Sequence, residues 1–267
     1  GFVGDISALQ ETYSVRDYRA DISDLNVVKS VHVQAEHDEA DPVAETRWLQ
    51  GQADMGGFPH AIVGFADFSR ADVEDTLARH AEFANVRGIR QILSHHPDPA
   101  YCHAPNEYLK DENWCARIAS LKAHNFSFDL QIYPHQVGDA LPLIDANPET
   151  RFIVNHALEP WNGSEDVRAI WQQGVKALAE RSNVSMKISG FAMFLRPFKT
   201  ATIEPYVLSL IEAFGTGRCM FASNFPVDRL HCTYVEIYSA FSAITSSFSE
   251  DERTALFACN AARIYRI

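Results

Sequence analysis

Short apolar runs alternate with amphipathic stretches along the whole chain. Residues 27–35 are rich in valine and read as a strand. Residues 60–65, 86–93, 126–133, 152–156, 184–189 and 219–222 read the same way, most of them short apolar runs that end in polar residues or a turn. Helices fill the intervals. Asp41-Pro42 opens one that runs to Met55, with proline at its first position and Gly56-Gly57 as its stop. Val73, Leu77, His80, Ala81 and Ala84 recur at helical spacing in the next. Residues 106–123, 139–145, 164–180, 204–214, 229–247 and 250–265 supply the others, with Ser164-Glu165-Asp166 suited to a helix start. Residues 5–25 are polar and read as loop, with a helical turn around residues 6–11.

Seven strand-then-helix units without a compositional break predict one α/β domain over residues 1–267, built on a parallel sheet. No glycine-rich phosphate loop follows any strand, so a (β/α)8 barrel is favoured over a doubly wound nucleotide fold. Eight strands close such a barrel. The chain opens on Gly1-Phe2-Val3-Gly4, without an initiator Met or a signal-peptide pattern, and the first strand is expected upstream of Gly1.

Composition narrows the partners. A net charge of -12 argues against nucleic acid or an anionic membrane as a general partner. No run of about 18 apolar residues predicts a membrane span. The five cysteines are odd in number and form no CxxC pair, which points to reduced thiols in a cytoplasmic protein.

The polar groups collect where the strands end. Gln34 and Glu36, Asp67, Arg90, Gln131 and Tyr133, His156, Lys187 and Ser189, and Asn224 all fall at carboxyl ends of predicted strands. A barrel places its chemistry there. Strand alternation puts His32, Gln34 and Glu36 on one face, and Asp129, Gln131 and Tyr133 on another. Each has an ordinary structural explanation: a lone histidine is commonly a satisfied core residue, and Arg90 could pair with an acid. Burying so many together is costly unless they meet one another or a ligand. Gly88, preceding Arg90 on its strand, leaves room for an approach to the backbone. Asn224 and Asp228 could equally turn the chain, with Asp228 capping the helix that follows. His95, His96 and His103 lie in a long polar loop and read as loop residues.

Several segments together resemble the amidohydrolase superfamily. They are Arg87-Gly88-Ile89-Arg90-Gln91, Phe128-Asp129-Leu130-Gln131, Phe152-Ile153-Val154-Asn155-His156, Lys187-Ile188-Ser189-Gly190, Met220-Phe221-Ala222-Ser223-Asn224-Phe225-Pro226 and Asn260-Ala261-Ala262-Arg263-Ile264-Tyr265. The branch is similar to the L-fuconolactonase and 2-pyrone-4,6-dicarboxylate lactonase group, and the resemblance spans essentially the whole chain. It implies a distorted (β/α)8 barrel that opens a lactone or related ester, often without a tightly held metal. It also implies a His-x-His pair on the first strand, a histidine on the sixth matched by His156, an aspartate on the eighth, and a substrate-binding arginine matched by Arg90. A bidentate guanidinium suits that last task. Two features depart from the pattern. No His-x-His is present, since His32-Val33-Gln34 ends in Gln and lies on the second strand. Asn224 stands where the family has its aspartate, and an amide cannot take a proton from water.

The leading expectation is therefore a hydrolase of small lactones or carboxylated cyclic esters. His156, Asn224 and Asp228 are its catalytic candidates, and Arg90, Gln34, Gln131, Tyr133 and Lys187 bind substrate. Asp228 or Glu36 supplies the base. One alternative is a barrel that binds a small acidic or sugar-derived ligand without hydrolysing it. A weaker one is a zinc enzyme. Zinc needs three or more ligands and only His156 is clearly placed, so no metal ligand is assigned, while a weakly held divalent metal such as zinc stays compatible with the resemblance.

Overall fold

The computed structural model describes residues 6–267. Among them seven strands pair side by side in chain order, every pair parallel: β1 (Val31–Val33), β2 (Ala61–Phe65), β3 (Val86–Arg90), β4 (Ser127–Leu130), β5 (Phe152–Val154), β6 (Val184–Ile188) and β7 (Cys219–Phe221). Parallel neighbours need a crossover, and most of these are helical. The helices are α1 (Val15–Asp21), α2 (Pro42–Gly56), α3 (Val73–Ala81), α4 (Glu112–Arg117), α5 (Val137–Ala146), α6 (Glu165–Ala179), α7 (Phe191–Phe194), α8 (Thr200–Phe214), α9 (Tyr234–Ile244), α10 (Glu250–Thr254) and α11 (Asn260–Tyr265).

The sheet curls. Ala61 and Val63 of β2, Ile153 of β5 and Met220 of β7 meet in one apolar cluster although their strands are not neighbours, so these side chains line an inner face. Ile264 and Tyr265 of α11 join them and plug the curl from below, with Val31 and Val33 packed alongside. The opposite faces, with Ile62, Ile89, Phe128, Phe152, Val154 and Met186, pack on the surrounding helices in a second and larger core. Both faces of β2, β4, β5 and β7 are thus buried, as suits the apolar runs read there.

The expected eight-strand barrel is observed as a seven-stranded parallel sheet among the described residues. The opening Gly1-Phe2-Val3-Gly4 lies outside them. Elsewhere the local differences have local causes. Residues 15–21 form a helix where loop was expected, because Ser14 and Asp17 make a capping box. The helix expected over 229–247 begins at Tyr234. A one-turn 3₁₀ segment (Val227–Leu230) precedes it, and Thr233 with Glu236 caps the true start. The strand expected over 27–35 shrinks to three residues, since only these find a partner in β2. Gly57, read as a helix stop, sits in the left-handed region at φ 76° with its N–H on the Ala53 carbonyl.

Candidate active site

Strand register decides which side chains enter the curl. Parallel partners face the same way, and alternate residues face oppositely. Arg90 pairs with Phe65, Asp129 with the inner-face Ile153, and Lys187 with the inner-face Met220. Arg90, Asp129 and Lys187 therefore point inward. Two residues beyond Asp129, Ile153 and Lys187, the strand ends carry Gln131, Asn155 and Ser189 in the same direction.

Arg90 is 9% exposed and has no carboxylate in direct contact among the described residues. Its Nη1 donates to Gln131 Oε1 at 3.0 Å and its Nη2 to the Gln34 carbonyl at 2.8 Å. Nε is buried without a partner. Gln131 passes the contact on, its Nε2 donating to Glu159 Oε1 at 2.8 Å, while Ser94 Oγ donates to Glu159 Oε2. Burial raises the Glu159 carboxyl to about 7, although hydrogen bonds from Ser94 and Gln131 and the Arg90 charge oppose it.

Lys187 was expected to bind substrate, yet its ammonium is committed to Asp129, 2.7 Å from Oδ1. Tyr265 donates to the same oxygen at 2.8 Å, and the other oxygen of Asp129 has no partner among the described residues. This buried pair fixes a cation in the inner face.

His156 follows β5 on a turn in which His156, Ala157, Leu158 and Glu159 all have positive φ (51°, 56°, 59° and 41°). Its Nδ1 lies 3.1 Å from Ser189 Oγ. Gly190 packs against it so closely that a Cβ there would sit 2.9 Å from the His156 Cβ. Burial, then Arg90 and Lys187, holds the imidazole neutral well below the usual histidine range.

Asn224 and Asp228 form a pair of their own. Asn224, at φ 55°, donates from Nδ2 to Asp228 Oδ1 at 2.8 Å. Asp228 is 2% exposed, and burial lifts its carboxyl to about 7 against hydrogen bonds from Asn224 and the Ala192 N–H. The expected role of Asp228 as cap of the following helix is replaced by these contacts with Asn224 and with Ala192 of α7. Thr233 caps that helix instead.

The other candidates fall less centrally. Gln34 lies next to inward-facing Val33, so the face shared by His32 and Gln34 turns away from the curl, and His32 meets Glu45 on α2 at 3.1 Å. The Gln34 amide donates to Glu36, and only its carbonyl reaches Arg90. Tyr133 is buried, donates to the Tyr101 carbonyl at 2.6 Å, and packs against His96, His103, His135 and Trp161. Thus the loop histidines His96 and His103 join an aromatic wall. Gly88 makes room for Ser127 of β4, not for a ligand. Sequence reasoning passed over Glu159, Ser94 and Tyr265. Glu159 could have been suspected as an acid three residues beyond His156, and Tyr265 ends one of the segments that carry the resemblance, whereas Ser94 carries no sequence signal.

Five buried side-chain atoms lack partners among the described residues: Gln34 Oε1, Arg90 Nε, Asp129 Oδ2 and both amide atoms of Asn155. All belong to this strand-end region. Such orphans are costly, and those of the inward-facing Arg90, Asp129 and Asn155 offer donors and acceptors to an oxygen-rich ligand. A metal is less well served, since no group of three or more His, Cys, Asp or Glu converges among the described residues.

A curled parallel sheet with charged and amide groups crowded at its strand ends defines an α/β-barrel type of enzyme. Comparison makes this specific: the chain belongs to the amidohydrolase family, whose model, described as Amidohydrolase, matches residues 4–267. Protein y4mH of Sinorhizobium fredii is 43% identical over 266 residues, covering 99% of this chain and 89% of that protein. The L-fucono-1,5-lactonase of Burkholderia ambifaria is 27% identical, covering 98% of this chain and 88% of that enzyme. The fold matches the crystal structure of a Burkholderia multivorans amidohydrolase with bound zinc at a TM-score of 0.85 and 24% identity, covering 98% of this chain and 91% of that one.

Proposed function

We propose that the chain is a single barrel domain over residues 1–267 that opens a small lactone by attack of water, with Asp228 as the base. An eighth strand between β7 and β1 would complete the barrel. The observation that carries the reading is the 2.8 Å contact from Asn224 to the buried Asp228. The family pattern asks for a carboxylate at position 224, and here an amide holds one four residues further on. A carboxyl that titrates at about 7 is matched to taking and returning a proton near neutral pH. L-Fucono-1,5-lactonases among the relatives supply the substrate class.

In this reading Arg90 orients the lactone carbonyl with its unsatisfied N–H. Neutral His156, with Nδ1 accepting from Ser189 Oγ–H, donates from Nε2 to the same oxygen. Water adds to the carbonyl carbon and its proton passes to Asp228. The ring C–O bond then breaks, and the departing oxygen takes that proton back. The zinc seen in the Burkholderia multivorans structure does not find a matching donor set among the described residues, so no step is routed through it.

Assay of the protein on a panel of sugar and pyrone lactones, L-fucono-1,5-lactone included, tests the activity. With ionised Asp228 as base, kcat/KM rises with pH and levels off above about 7. A rate independent of pH from 5 to 9, or no turnover of any lactone, removes the reading.

A further inference from the structure

Four consecutive left-handed residues, none of them glycine, are an expensive way to leave a strand, at about 1–2 kcal/mol for each. The turn His156–Glu159 is of this kind, and such strain persists only where the surroundings hold it. It places two side chains from one turn in different parts of the site. His156 reaches Ser189, while Glu159, fully buried, reaches Gln131 and Ser94.

The amide of Gln131 is the link. Its two ends are chemically opposite, one accepting and one donating. An ionised Glu159 can only accept, so it holds the NH2 end of Gln131 and leaves the carbonyl end to Arg90 Nη1, 3.0 Å away. Turned over, the amide would set a donor against Arg90 and another acceptor against Glu159. Among the described residues no carboxylate holds Arg90 directly, so the Gln131 and Gln34 carbonyls set its direction.

We propose that Glu159 is a positioning residue of the lactone site: through Gln131 it sets the direction in which Arg90 presents its guanidinium to the substrate. This rests on the lactonase reading above.

The test is a double-mutant cycle of Glu159→Ala and Arg90→Lys, with Glu159→Gln alongside. It is read as kcat and KM on whichever lactone of the panel the parent turns over best. Glu159→Ala is expected to raise KM by ~10–100-fold with a smaller change in kcat, and Glu159→Gln to recover most of it through its own acceptor oxygen. In the Arg90→Lys background the further effect of Glu159→Ala should shrink below about 3-fold, because the group it directs is gone. Equal effects in both backgrounds would overturn the proposal. Should the alanine variant not fold, Glu159→Met, close to it in size, takes its place. A crystal structure of the same variant gives a readout without substrate: Gln131 turned over and Arg90 displaced is expected, and both unmoved overturns the relay. If the parent opens no lactone, the functional reading falls and that structure alone decides the relay.

Discussion

The floor and the mouth of the curled sheet are made by the same strands, two residues apart, and they obey opposite rules. At the floor the apolar side chains of Val63, Ile153 and Met220 pack against Ile264, with the paired Asp129 and Lys187 beside them in register. Two residues beyond Ile153, just past β5, stands Asn155, fully buried with neither amide atom partnered among the described residues. The floor is stabilised by burial, whereas the mouth holds polar groups that burial disfavours. A region that carries cost without local return is where function is sought.

Breaking the mouth should therefore cost activity more than stability, and breaking the floor the reverse. The largest effect is expected at Asp228: Asp228→Asn lowers kcat by ~10²–10⁴-fold if it removes the base. Its stability should move the other way. The Asp228 carboxyl titrates at about 7 in the fold and near 4 when unfolded, so between those values the native state holds a proton that the unfolded chain releases. Stability falls as pH rises through that window. Asp228→Asn lacks this fall, and its Tm relative to the parent should climb from pH 5 to pH 8. A Tm deficit that stays constant with pH would make Asp228 a structural residue.

Next in size is the floor. Ile153→Ala should cost about 2–5 kcal/mol in denaturant unfolding, as expected for a fully buried isoleucine, with KM of the folded enzyme little changed. Loss of turnover without loss of stability would erase the distinction between the two regions. Arg90→Lys comes third. It keeps the charge and loses the fork, so kcat/KM should drop by ~10–100-fold, with a smaller change in stability. Stability loss with intact kinetics would move Arg90 to the floor's side of the comparison.

The smallest effect probes the strain directly. Ala157 sits at φ 56°, where glycine is unpenalised. Ala157→Gly should be nearly neutral, within about 0.5 kcal/mol, since relief of the left-handed cost offsets the lost methyl burial. Ala140→Gly in α5 should cost about 1 kcal/mol by chemical denaturation. Equal costs at both sites would show that the turn is not strained.

Much of this was legible in the chain. The seven apolar runs, the caps at Ser164 and Gly57 and the placing of Arg90, Gln131 and His156 at strand ends follow from local rules: side-chain period, turn chemistry and capping act within a few residues. What the sequence could not show is how distant residues share one interior. Whether Gly88 faces a ligand or Ser127, whether Lys187 meets substrate or Asp129, and whether Asp228 caps its own helix or Ala192 depend on register and on which loops converge. Glu159 is the extreme case. Its neighbours in sequence give no hint of Ser94 or Gln131, because only the closing of the sheet brings residues 65 and 28 positions away within hydrogen-bonding distance of its carboxylate. Local order is written in the periodicity of the chain. The partners of a buried polar group are chosen by the packing that excludes water around it.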